Sequence, residues 1–108
     1  MLFRSNKLGD LALAGGDGSG ARRYYEDGLL IRRRLSAESP ENADYARDLW
    51  VSCYKIANLL EGTGDEEAAV WWRRAWEILA GMKVRGMHLS PEDERFLKNL
   101  EDRFGFGR

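Results

Sequence analysis

A chain of 108 residues with 44% apolar and 32% charged side chains has the make-up of one globular domain with a modest core, not of a disordered segment. Its 17 basic and 18 acidic residues are intermixed and leave a net charge of −1, so no bulk field favours nucleic acid or an anionic membrane. No apolar run approaches the roughly 20 residues that cross a bilayer, and the N-terminus lacks the apolar segment and cleavage site of a secretory signal. Cys53 is the one cysteine; it excludes an internal disulfide and fits a reducing, cytoplasmic setting.

Five helices are predicted in chain order. The first covers residues 2–14 and stops at Gly15-Gly16. Asp17, just after a glycine, reads as the cap of a second helix over 18–36. There Ala21, Tyr24, Tyr25, Gly28, Leu29 and Leu35 make an apolar face opposite Arg22, Arg23, Glu26 and Arg33. Ser39-Pro40-Glu41 reads as the start of a third helix over 41–62: serine caps orphan N–H groups, proline tolerates the first helical position, and a carboxylate suits the dipole. Tyr45, Leu49, Cys53, Ile56, Ala57 and Leu60 form its stripe at spacings of three and four.

Gly62-Thr63-Gly64 is a short connection, and Asp65 is expected to cap a fourth helix over 66–83. Its wide apolar face comprises Ala68, Trp71, Trp72, Ala75, Trp76, Leu79 and Met82. Ser90-Pro91-Glu92-Asp93 repeats the serine–proline start and opens a fifth helix over 91–104. The short glycine loops force consecutive helices to run antiparallel. No segment alternates with period two, so the fold class is all-α.

The chain also nearly repeats itself. Asn6-Lys7-Leu8-Gly9-Asp10-Leu11 returns 48 residues later as Tyr54-Lys55-Ile56-Ala57-Asn58-Leu59, and Gly16-Asp17 returns as Gly64-Asp65. Ala21-Arg22-Arg23-Tyr24-Tyr25 returns as Ala68-Ala69-Val70-Trp71-Trp72 after a one-residue deletion. Self-similarity at such a period marks a supersecondary unit that recurs and stacks. Small residues at matched sites (Gly9 and Ala57, Ala21 and Ala68, Gly28 and Ala75) let helix backbones approach closely, and the neighbouring rings fill the space beside them.

This pattern resembles the tetratricopeptide repeat (TPR), on Leu8-Gly9, Ala21, Tyr25 and Gly28 in one copy and Ile56-Ala57, Ala68, Trp72 and Ala75 in the other. Gly16-Asp17 to Ile31 is especially similar to longer-period bacterial repeats akin to those of kinesin light chain. The likeness covers residues 5–83, with the last helix resembling the family's solvating cap. It implies two stacked antiparallel helical pairs, a TPR-like α-solenoid fragment: repeat 1 about 2–36, repeat 2 about 41–83 and a cap helix about 91–104, all in one domain over 1–108. The period departs from the family's usual length of about 34 residues by roughly four helical turns, the closing proline is displaced to Pro40, and Ala57 replaces a glycine.

In TPR domains the first helix of each pair lines a concave groove for a peptide or a partner's helix. That likeness marks Asn6, Asp10 and Leu13 from the first copy and Val51, Tyr54, Asn58 and Glu61 from the second as partner-binding candidates. The asparagines suit an extended peptide's backbone, and Tyr54 suits an aromatic anchor. The plain alternative is that all seven are ordinary solvated residues. A clamp for C-terminal carboxylates is not expected, because Asn6 pairs with Asp10 and Tyr54 with Asn58 where the family's clamp needs lysine with asparagine.

Other features carry weaker signals. Arg32-Arg33-Arg34 with Arg22 and Arg23 invites a phosphate or RNA reading, but Glu26 and Asp27 lie close by, and a solvated outer face is expected. Trp71, Trp72 and Trp76 suit a packed hairpin better than a ligand box; at least one of the adjacent pair should lie at the core's edge and is the candidate for a subunit contact if exposed. His88 is read as a solvated loop residue with no ligand-spaced neighbours, Cys53 as a small buried hydrophobe, and Glu66 and Glu67 as first-turn dipole partners. Gly15 to Gly20 lacks the strand and lysine of a phosphate loop.

These readings converge on a non-enzymatic protein–protein interaction module, an adaptor or assembly scaffold, with no metal and no cofactor. The expected partner is another protein or peptide, with self-association through an uncapped N-terminal repeat edge at Leu2, Phe3 and Leu8; no nucleic acid or membrane partner is expected. The alternative is a regulatory helical domain that binds a small ligand or nucleic acid through its arginine-rich face.

Overall fold

The structure, a computed structural model, describes residues 2–107, with side chains from residue 6 onward. Its elements are α1 (Leu2–Ala14), α2 (Gly18–Glu38), α3 (Ala43–Gly62), α4 (Ala68–Val84) and α5 (Pro91–Phe104), and no strand occurs among the described residues. The molecule is all-α.

Local chemistry explains where the helices stop. Gly16 and Gly64 adopt left-handed backbone, at φ 83° and 73°, a conformation that costs glycine least. Each lets the next N–H reach back five residues: Asp17 N–H to Ala12 O at 2.8 Å, and Asp65 N–H to Leu60 O at 2.9 Å. A second bond, Gly16 to Leu13 or Gly64 to Glu61, completes a Schellman motif in both places. Gly86 closes α4 in the same way, with Met87 N–H on Met82 O at 2.9 Å. Thus α1 and α3 end in the same motif, 48 positions apart.

The starts divide into hits and misses. Asp17 caps α2 by accepting from Gly20 N–H at 2.9 Å, and Ser90 caps α5 by accepting from Asp93 N–H at 3.1 Å, with Pro91 in the first turn. Ser39-Pro40-Glu41, by contrast, does not start α3. Ser39 ends α2, its N–H on Leu35 O, and its own carbonyl accepts from Asn42 N–H at 3.0 Å. Proline's fixed φ therefore serves the second position of a tight turn, and Asn42 is the cap, accepting from Tyr45 N–H at 3.1 Å. Asp65 likewise sits early, two residues before the cap position: its carboxylate accepts from Glu67 N–H, and α4 begins at Ala68. Glu66 and Glu67 thus precede the helix rather than forming its first turn.

Each helix packs chiefly on its neighbours in the chain, α1 on α2, α2 on α3, α3 on α4 and α4 on α5. The small residues at matched positions, and one ring beside them in each copy, share one fate, whereas Leu11 is exposed and its counterpart Leu59 buried. Gly9 and Ala57, Ala21 and Ala68, Gly28 and Ala75, and the rings of Tyr25 and Trp72 are all buried. Gly9 illustrates why the site is small: a Cβ built there would overlap the Tyr25 ring. Buried Ile56, Leu60, Leu79 and Met82 fill the space between α3 and α4.

Further aromatics extend this core. Trp50, off the predicted stripe, is buried against Phe96 of α5 at 4.8 Å between ring centroids. Phe96 also meets Tyr54 at 4.9 Å and Trp72 at 6.3 Å. At the other end of α5, Trp76 donates its indole N–H to Glu101 at 3.1 Å and packs on Phe106. The fifth helix thus covers one flank of the second hairpin. Leu2 and Phe3, the expected apolar N-terminal face, lie outside the described side chains; Leu8 is half-buried, and Leu11, Tyr24 and Ile31 of the first hairpin are exposed.

Candidate functional site

Between the C-terminal ends of α1 and α3 lies a cleft of about 610 Å³. Leu13 borders it from α1, Gly18 from the start of α2, Asn58, Leu59, Glu61 and Gly62 from α3, and Gly16 and Thr63 from the adjoining loops. Leu13 is 40% exposed, Asn58 and Glu61 are exposed, and Leu59 is buried. The cleft therefore combines an apolar rim and floor with one amide side chain that both donates and accepts hydrogen bonds. The glycine corners keep side chains out of the way of an approaching backbone.

One turn before Leu13, Asp10 organises the neighbouring wall. Its Oδ1 accepts the Tyr25 hydroxyl at 2.5 Å, and both carboxylate oxygens lie 3.1 Å from Lys55 Nζ. Burial, and then the bond to Asp10, push the Tyr25 hydroxyl well above its ordinary range. It stays a donor at any physiological pH. Asp10 thus ties α1 to α2 and α3 instead of standing free for a ligand.

The other candidates are placed elsewhere. Asn6 is half-buried and accepts from Arg32 Nη1 at a long 3.5 Å. Val51 is half-buried against the core. Tyr54, the expected anchor for a partner, is engaged within the chain by Phe96 and by Trp72 at 5.7 Å, because α5 lies where a ligand was expected. Glu61 accepts from Arg103 of α5, which draws that helix toward the cleft. Leu13, Asn58 and Glu61 are brought together; Asn6, Val51 and Tyr54 are not. Lys55, missed in the sequence, was signalled by its position in the second hexapeptide, where its charge opposes Asp10 of the first.

The arginines do not form one face. Consecutive helical residues point about 100° apart, and Arg32, Arg33 and Arg34 diverge accordingly. Arg32, expected on the solvated side, is 2% exposed with its Nε unpaired; burial lowers its pKa, while Asp48 pulls it back up. Arg33 and Arg34 are exposed, and Arg22 is held by Glu26 at 2.6 Å and Glu67 at 3.4 Å.

Of the adjacent tryptophans, Trp72 is buried and Trp71 half-buried at the core's edge; Cys53 is buried and His88 exposed. Among the described residues no three of His, Cys, Asp and Glu converge as metal ligands would, and no helix is long and apolar enough to cross a membrane. No family model matches this chain, and no curated protein or solved structure matches it either.

Proposed function

We propose that this chain is a TPR-like protein–protein interaction module, a short α-solenoid fragment of two stacked helical pairs closed by α5, acting as an adaptor or assembly scaffold. The supporting observation is that residues matched at 47–48 positions apart play the same structural parts: Gly16 with Gly64, Ala21 with Ala68, and Tyr25 with Trp72. A recurring unit of this kind suits contact with other chains more than chemistry. The binding surface is the α1–α3 cleft, with Leu13 and Asn58 as its contact residues and Glu61 at its edge. Its partner is an extended peptide segment that lays an apolar side chain against Leu13 and Leu59 and pairs its backbone with Asn58. Tyr54 belongs to the support of α5 and not to the contact surface. The arginine-rich alternative is weaker, since its arginines diverge and one is buried.

The test is affinity capture from the native cell extract with the 108-residue chain and its Leu13→Glu and Asn58→Ala variants. A partner retained by the parent and lost from Leu13→Glu, with helicity unchanged, supports the reading. Equal capture by all three chains rejects the cleft as the binding surface.

A further inference from the structure

A second cleft, of about 230 Å³, opens where α2 and α4 part over α3. Leu29, Leu49 and Ile78 make its apolar lining, one from each helix, and the Cys53 sulfur lies at its base. Trp71 forms a wall, backed by the Arg74 guanidinium at 4.6 Å from the ring centroid. Arg33 of α2 and Arg74 of α4 flank the opening. Both are exposed, and neither lies in an ion pair with any described carboxylate. Glu77, at the same rim, is engaged by Arg73 at 3.3 Å.

The electrostatics at the base agree with this layout. Burial pushes the Cys53 thiol up to about 11, while Arg74 and Arg33 are near enough to pull against that rise. The thiol stays protonated and sets no negative charge against the two cations. An apolar slot between two unneutralised guanidiniums favours a ligand with a planar anionic head, which arginine holds through paired N–H donors, and an apolar body. The volume is that of roughly eight water-sized groups, which suits a compact aryl or short alkyl chain. We propose that this α2–α3–α4 cleft binds a small amphipathic carboxylate, its head between Arg33 and Arg74 and its apolar body over Leu29, Leu49 and Ile78. The site is separate from the α1–α3 cleft and stands whether or not that surface binds a peptide.

The experiment titrates benzoate, benzyl alcohol and inorganic phosphate separately into the isotopically labelled 108-residue chain, following the Trp71 indole and Cys53 amide resonances. Benzoate is expected to shift both with saturation, and to bind about tenfold or more above the neutral alcohol and bare phosphate, because a hydrogen bond to a charged group carries that much. Arg33→Gln should weaken benzoate by a similar factor; Arg33 is exposed, so its replacement leaves the fold intact. Arg74→Gln should do the same where helicity is retained. No saturable shift with benzoate, equal binding of the alcohol, or unchanged benzoate affinity in Arg33→Gln would each overturn the proposal.

Discussion

At the scale of single residues, the contact between Gly9 and Tyr25 decides how closely α1 and α2 approach. The ring lies where a Cβ at position 9 would stand, and the aromatic plane is backbone-facing and stiff. Gly9→Ala should therefore destabilise the chain by about 1–3 kcal/mol through overpacking, despite alanine's better helix propensity. Chemical denaturation would measure it, and a neutral or stabilising result would show that the two helices are free to separate. The Tyr25 hydroxyl adds a pH signature. Its pKa is raised in the folded state, so its contribution is complete below the ordinary tyrosine value of about 10 and is lost as pH climbs beyond it. Tyr25→Phe should cost about 1–2 kcal/mol at neutral pH and flatten the alkaline loss of stability. Parallel denaturation series from pH 8 upward compare the two; equal alkaline slopes would rule out the Asp10–Tyr25 bond as their cause.

Among elements, α5 is held by buried Leu97 and Leu100 and by a cluster of rings. Phe96 touches Trp50, Tyr54 and Trp72, while Trp76 holds Glu101 and Phe106. Aromatic pairs of this kind add to the area they bury. Since Phe96 is half-buried, Phe96→Ala should cost about 2–3 kcal/mol, below the range for a core phenylalanine. It should also change tryptophan emission, which reads Trp50 and Trp72 directly. Ser90→Ala removes the acceptor for Asp93 N–H and should cost about 1 kcal/mol, seen as a lowered thermal midpoint. The same replacement at Ser39 should be mild, because its side chain caps nothing and its structural bonds are made by the backbone. A larger loss at Ser39 than at Ser90 would contradict the observed helix ends.

For the whole molecule, the two ends differ. The second hairpin is covered by α5 and Phe106, whereas the first leaves Leu11, Tyr24 and Ile31 exposed, Ile31 at 52%. Under the stacked-repeat reading this open edge takes a second copy of the chain, and Ile31→Glu should then lower the solution mass of the assembly at micromolar concentration. A parent chain that sediments as a monomer at every concentration would remove that expectation. Helix number, the glycine connections, the Asp17 and Ser90 caps and burial of Tyr25, Trp72 and Cys53 were all readable from the sequence. They depend on spacing within one or two turns, where 3.6-residue periodicity and capping chemistry act. The start of α3 was not fixed that way: Ser39-Pro40-Glu41 satisfies the local rules for a cap, and only the tight turn through Pro40 passes that part to Asn42. Whether Tyr54 faces a partner or Phe96, why Arg32 is buried while Arg33 is not, and how Arg33 meets Arg74 across a cleft were decided by tertiary structure alone. Each depends on the angle at which one helix crosses another far along the chain, and packing of both surfaces together sets that angle.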